Sequence, residues 1–454
     1  MRLLDNIQET IDFTHATTLK VVKEYREKFE RISGILEETP EIVKTLHRDL
    51  ANNLSESRGG RKSKYTSAQV LRALIVMFVE GLDYRGTVVQ IENSEFLRRF
   101  VGLGVQTTMD FTFLSKAFCV IRENSWKAIC DLLADYARAA GKVSGEKLRV
   151  DTTAYESNIH YPTDASLLWD GFRTMARLLR LLKEEFPGLC GRYRFHDKKV
   201  KKLMLYITRN NKSKNKSTRR KVNKSYQTLI EQVNRVVAIS TETCSVLPPK
   251  DPTVEKLTHY LPLVERVVDQ AVRRVFEGEK VPADEKLYSI FEEHTELLIR
   301  GKANKEIEFG HMVLIGQTEQ KFITQYEVLR HRVADKDLVD DILASHQELF
   351  GKLPDTFAAD KGFYESMEKI EELEEKIDTV SMCKKGRRNA EETEREHSDD
   401  FREGQRFRAG VEGTISVLKR AFKMLRCYFK GYKNYASSVG CAVFCHNLVL
   451  LTRS

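Results

Sequence analysis

Apolar positions recur at helical spacing through most of this chain and alternate at strand spacing in only a few short stretches. Residues 1 to 145 read as almost wholly helical. Thr66 or Ser67 is a candidate N-cap for a helix with Leu71, Leu74, Ile75 and Phe78 on one face, and Gly81 ends it. A second run carries Val88, Ile91, Phe96, Leu97 and Phe100. Gly102 and Gly104 break it, and Phe113–Val120 begins another helix. Short helices joined by glycine turns fit a helix-turn-helix-type module, or any small bundle. The first fifty residues read as long amphipathic helices, a candidate dimerisation arm.

The pattern changes at Lys147–Thr153, a short alternating strand. From 166 to 305 it is helical again, with Trp169, Phe172, Met175, Leu178 and Leu182 on one stripe and Leu261, Val264, Val268 and Val272 on another; Asn210–Ser217 reads as an exposed loop. Beyond Glu308 the reading is α/β: strands at His311–Ile315 and Phe322–Val328, a helix Asp335–Leu349 capped by Asp335, a strand Thr356–Asp360, a helix Glu365–Lys376 and a strand Asp378–Cys383. Lys384–Glu403 reads as polar and loose, Val411–Phe429 as a strong helix, and Val439–Leu451 as a final apolar one. The predicted domains are a helical one at 1–145, a first strand at 146–165, a helical insertion at 166–305 and an α/β remainder at 306–454.

Composition narrows the function. The 454 residues are 41% hydrophobic and 31% charged, a globular balance. No stretch approaches the ~18 uninterrupted apolar residues of a membrane helix, so a soluble chain is expected, with no membrane partner. The N-terminus lacks an apolar signal segment, and eight cysteines without a Cys-x-x-Cys read as reduced thiols, so a cytoplasmic location is expected. The net charge of +9 is unevenly placed. Arg192 to Lys224 holds fourteen Lys/Arg against Asp197 alone, Gly413 to Ser454 holds seven and no acid, and the rest is therefore −11. Two basic blocks on an acidic chain suggest a polyanion, nucleic acid first; a solvated linker and an ordinary basic helix are the plainer alternative.

Three carboxylates stand out. Asp151 and Asp360 end predicted strands, Asp151 on the face opposite Leu148 and Val150, and Glu412 lies on the helix after the loose segment. Converging there, they would make a hard-oxygen site for Mg²⁺ with open positions for phosphate and water. Two such ions about 3.5–4 Å apart suit phosphoryl transfer. Taken singly, each acid also reads as a turn or cap residue. On the last strong helix, Val411, Ile415, Leu418, Phe422 and Leu425 form a buried stripe, and Arg408, Glu412, Lys419, Lys423 and Arg426 a second one beside it. One carboxylate among four cations suits a metal ligand flanked by phosphate-gripping residues; an i,i+4 Arg408–Glu412 surface pair is the alternative.

Asp151 with Thr152 and Thr153, the Asp360-Lys361-Gly362-Phe363 turn and the Arg408-x3-Glu412-x6-Lys419 spacing resemble the insertion-sequence DDE transposases of bacteria. The segments Asn158–Asp164, Leu425–Cys427 and His446–Leu448 are similar to that family too, as is 65–114 to the helical module that precedes its catalytic domain. The resemblance covers most of the chain. It implies an RNase H-like fold, a mixed five-stranded sheet flanked by helices, here preceded by an all-helical domain and interrupted by a large helical insertion. It implies Asp151, Asp360 and Glu412 as catalytic, metal-binding acids with Mg²⁺, or Mn²⁺ in its place, and Arg408 and Lys419 as residues near DNA. Double-stranded DNA and a homodimer or larger assembly are the implied partners. Two features depart from the family: Gln405 stands where its extended signature has Tyr, and the insertion carries the larger basic block. Lys212, Lys214, Lys216 and Arg219 in that block are candidate DNA contacts.

Other chemistry is weaker. Cys441-x3-Cys445-His446 lacks a second half for a zinc site and reads as core. His160 and Asp164 are close enough in sequence to suggest a pair but stand without a nucleophile motif, and no Gly-rich phosphate loop is present. The expected activity is metal-dependent cleavage at transposon ends and transfer of the 3′-OH to target DNA. A silent DNA-binding regulator and a structure-specific nuclease of the same fold are the alternatives.

Overall fold

The computed structural model describes residue 4 and residues 17–54, 63–190, 194–302 and 305–453. The chain forms two compact units: Met1–Glu156 with His311–Ser454, and Ser157–Gly310. It is a mixed α/β protein, mostly helical, with a five-strand mixed sheet following an all-helical N-terminal region.

In the first unit the helices Lys20–Glu38, Pro40–Asn53, Ser67–Val79, Tyr84–Glu92, Glu95–Val101, Phe111–Val120 and Glu123–Ala139 come before any strand. Thr66 caps its helix reciprocally with Gln69, and Gly81 and Gly102 take the left-handed conformation at helix ends. Phe29, Ile32, Leu46 and Leu50 on the first two helices are fully buried in the common core. Those four positions of the expected dimerisation arm are thus filled within the chain, while Leu19 and Val21 are exposed; residues 5–16 of the arm lie outside the described residues.

The strands are β1 (Lys147–Ser157), β2 (Glu296–Lys302), β3 (Lys305–Thr318), β4 (Ile323–Leu329), β5 (Thr356–Ala359), β6 (Thr379–Met382) and β7 (Arg426–Cys427). Their order is β2-β3-β1-β5-β6, with β4 also paired to β3 and β7 to β1. β1, β5 and β6 run parallel, while β3 and β4 form an antiparallel hairpin. Leu148, Val150, Phe357, Ala359, Val380 and Met382 cover one sheet face and pack on Ile342, Leu343, Ile370 and Leu373. The helix Asp399–Ala421 packs against β5 and β6. Gly404 permits its close approach, because a Cβ there would collide with the Ser381 side chain.

Several boundaries differ from the sequence reading. β1 continues to Ser157, so Asp151 is within a strand rather than at its end. Asp335 starts a 3-10 turn whose N-cap is Ala334, and Lys384–Glu403 holds a helix, Ala390–His397, capped reciprocally by Asn389 and Glu392. The following helix begins at Asp399 and stops at Ala421, since Lys423 adopts a positive φ and Arg426 joins β7. Met424 is therefore buried where the helical stripe placed Leu425, which is 59% exposed.

The helix Tyr432–Leu451 is long and apolar enough to span a membrane by length and composition, yet 89% of that stretch is buried inside the fold. Asn447 bonds both backbone groups of Ile323 on β4, and Cys441 and Cys445 are core residues. His446 is buried, which pushes its imidazole down to about 4.

The second unit is a helical cluster of Asp164–Glu185, Asp197–Asn210, Lys216–Val246 and Pro252–Val275 around Leu168, Phe172, Leu229, Val233 and Val264. Gly171 lets the first and last of these approach closely, since a Cβ would lie 2.9 Å from Val264. The expected insertion was wholly helical; β2 is its departure.

Candidate active site

Parallel pairing sets Lys147 beside Thr356, Leu148 beside Phe357 and Arg149 beside Ala358. Carried two residues on, the register sets Asp151 beside Asp360, just past the end of β5. Neighbouring strands lie about 4.8 Å apart, and residues paired in register point to the same face. Both acids therefore project away from the core of Leu148 and Val150, toward the face that the Asp399–Ala421 helix covers. Each is oriented locally: Asp151 Oδ1 accepts the Thr152 amide at 2.8 Å, and Asp360 Oδ1 the Lys361 amide at 2.7 Å.

Glu412 reaches this pair through Arg408. Arg408 Nη2 donates to Glu412 Oε1 at 3.1 Å, the i,i+4 pair, while its Nη1 lies 3.9 Å from Asp151 Oδ2. The Arg408 side chain is only 18% exposed, whereas Glu412 is 64% exposed. One guanidinium thus offsets the repulsion between carboxylates from two elements. Among the described residues no three His, Cys, Asp or Glu side chains stand close enough together to hold a metal ion. Asp151 and Asp360 still offer the donor chemistry of a magnesium site, which takes one or two carboxylates and completes its shell with water and phosphate. Glu412 lies outside that pair and is joined to it by Arg408.

Arg149, on the same strand face as Asp151, is 5% exposed and pushed down to about 10 by burial. Its Nη1 donates to the Phe407 carbonyl at 2.7 Å, and Gly410 leaves the space its guanidinium fills. Gln405 donates to the Ser381 carbonyl at 2.8 Å. These contacts hold the turn carrying Arg408 against the sheet. Cys383, directly after β6, was not singled out from sequence. Burial raises its thiol, and it feels the charges of both Asp360 and Arg408. Its place just past a strand end, like that of Asp360, was the available signal.

The basic stripe is shorter than its spacing predicted. Lys419 lies in the last helical turn. Lys423 donates instead to the Leu82 carbonyl, with its ammonium held below the ordinary lysine value by burial. Arg426 pairs with Glu156 at 3.0 Å. The helix ends before either, so neither continues the stripe of Glu412.

In the second unit Lys212, Lys214, Lys216 and Arg219 are all exposed, across the turn between two helices and the first turn of Lys216–Val246. Asp197, the one acid of that block, is taken by Arg180 at 2.7 Å. Cations at a helix N-terminus oppose its dipole, a cost that an anion would relieve.

His160 does not pair with Asp164, which bonds Arg274 at 2.8 Å. It meets Asp170 Oδ2 at 2.5 Å through Nε2 and the Tyr161 carbonyl at 3.1 Å through Nδ1. Both partners are acceptors, so these contacts favour the doubly protonated ring, and the Asp170 bond raises the imidazole above its ordinary value. The expected result is an NMR titration midpoint for His160 above ~6.5, returning toward it in Asp170→Asn. Because the folded value is the raised one, this contribution to stability is fully present below the unfolded value and lost as pH rises through the folded one. A midpoint at the unperturbed value in the native protein would refute the assignment.

Comparison with known protein families, with curated proteins and with solved structures finds no match.

Proposed function

We propose that this protein is a DDE-type DNA transposase that cleaves transposon ends and joins the resulting 3′-OH to target DNA. The observation that carries the reading is the juxtaposition of Asp151 and Asp360 on parallel neighbours, with Arg408 spanning Asp151 and Glu412. The strand sequence β4-β3-β1-β5-β6, antiparallel within the β3–β4 hairpin and parallel through β1, β5 and β6, supports an RNase H-like catalytic domain.

Asp151 and Asp360 would hold a divalent cation, Mg²⁺ or Mn²⁺, which would supply charge neutralisation at the phosphate and a more acidic attacking water or hydroxyl, with Glu412 beside them on Arg408. The chain's own groups do the rest. Arg408 balances the acids and would offer a cation to a phosphate bound beside them, and Lys419 is a further cation on the same helix. Arg149 and Gln405 hold that helix in register. The N-terminal helices would read the terminal repeats, and bringing two ends together implies at least a dimer on DNA.

Incubation of the protein with a duplex carrying the element's own end, with and without Mg²⁺, tests the reading by mapping 3′ ends. Cleavage followed by joining to a second duplex is expected. Cleavage without joining would leave a nuclease, and binding alone a regulator. The basic turn has its own test: glutamate at Lys212, Lys214, Lys216 and Arg219 should weaken duplex binding and flatten the log Kd against log salt slope by about 0.9 per lost phosphate contact. An unchanged slope would remove this turn from the DNA interface.

A further inference from the structure

We propose that the groove between the Ala390–His397 helix and the first half of the Asp399–Ala421 helix binds a single nucleic-acid strand beside the acids, gripping its phosphates with Arg402 and Arg406. This deepens the function proposed above and rests on it for the identity of the strand.

The groove is open to solvent and offers about 730 Å³, the volume of a small-ligand site and so room for part of one strand. Its floor is one helix face: Arg402, Gln405, Arg406 and Ala409 follow one another at i, i+3, i+4 and i+7. Glu412 comes three residues after Ala409, so the same face leads on to the acid. The other wall leads there too. Cys383 lines the groove, and the β5–β6 register that pairs Ala359 with Met382 carries on to Asp360 and Cys383.

The lining is cationic and largely fixed. Arg388 is held by Glu396 at 2.6 Å, and Gln405 by Ser381 at 2.8 and 3.0 Å. Arg402 and Arg406 are not so engaged. Among the described residues Arg402 pairs with Asp399 alone, at 3.9 Å and fully exposed, and Arg406 lies on the exposed helix surface. A positively charged groove is the arrangement that tracks a nucleic-acid backbone without reading sequence. An acidic peptide would also be attracted, but the continuity of the floor with Glu412 favours a strand that passes the acids.

The test uses the full-length chain already carrying the four glutamate reversals in the basic turn, so that the turn does not contribute. Binding of a 5′-fluorescein-labelled thymidine octamer is followed by anisotropy in EDTA. The double variant Arg402→Ala/Arg406→Ala is expected to bind at least about 10-fold more weakly and to lose about 1.4 from the salt slope, two phosphate contacts at ~0.7 each. Arg402→Lys/Arg406→Lys should retain binding, with melting curves of both variants unchanged. Equal octamer binding by the alanine variant would overturn the groove, as would a lysine variant as weak as the alanine one. Because EDTA removes any cleavage, the two proposals fail separately. An octamer held by the arginines in a protein that never cuts DNA strikes only the transposase reading. End cleavage and octamer binding both unchanged in the alanine variant strike only the groove.

Discussion

Asp151→Asn and Asp360→Asn are each expected to lower Mg²⁺-dependent end cleavage on the order of 10³-fold, with DNA binding intact. The substitution keeps the size of each side chain and its bond to the following amide, Thr152 or Lys361. What it removes is charge. A divalent ion held by one or two carboxylates contributes several kcal/mol to the transition state, and halving its anionic ligands forfeits most of that. Glu412→Gln should act in the same direction but less severely, because Glu412 stands outside the aspartate pair and at 64% exposure. Cleavage assays at saturating DNA, with binding followed in Ca²⁺, separate the two effects. An Asp360→Asn protein cutting at the wild-type rate would remove that residue from the site.

The second large effect concerns the helix that carries Arg408 and Glu412. Gly404→Val should destabilise the protein by about 2–3 kcal/mol and lower Tm by roughly 5 °C, and cleavage should fall with it. A glycine inside a helix ordinarily costs about 1 kcal/mol relative to alanine, so substitution at an open position would raise stability. Here the added carbon meets Ser381 on β6, and Ser381 is pinned by its own bond to the Phe401 carbonyl at 2.9 Å. The helix must move off the sheet, which carries Arg408 away from Asp151. Thermal melting decides the matter: a variant as stable as wild type would mean the helix does not pack so closely.

Much of this was legible in the sequence because it rests on local rules. Alternation placed β1 and pointed Asp151 away from Leu148 and Val150; the 3.6-residue period found the core faces of the Ser67–Val79 and Asp164–Glu185 helices; Thr66 and Gly81 marked boundaries by their chemistry. The failures share a cause. Lys423 and Arg426 continue the helical spacing in sequence, but the helix ends at Ala421 and tertiary contacts with Leu82 and Glu156 take those side chains. Lys384–Glu403 looked loose because its Ala390–His397 helix is polar on most sides and is tied to the sheet by Arg395, which donates to the Val380 and Met382 carbonyls of β6. The bridge from Arg408 to Asp151 joins residues more than 250 positions apart, and no local pattern encodes it.

The Tyr432–Leu451 helix has a consequence for synthesis. It packs on the helices Lys20–Glu38, Ser67–Val79 and Glu123–Ala139 and supplies much of the core they share. A ribosome adding 5–20 residues per second needs roughly 15–60 s to pass from Ala139 to Tyr432. Throughout that interval Trp126 and its neighbours have been made while the helix that buries them has not. Asp151 and Asp360 are likewise made before the helix bearing Glu412 emerges. The nascent chain therefore holds its apolar N-terminal faces open for most of its production, and its site is assembled only near the end.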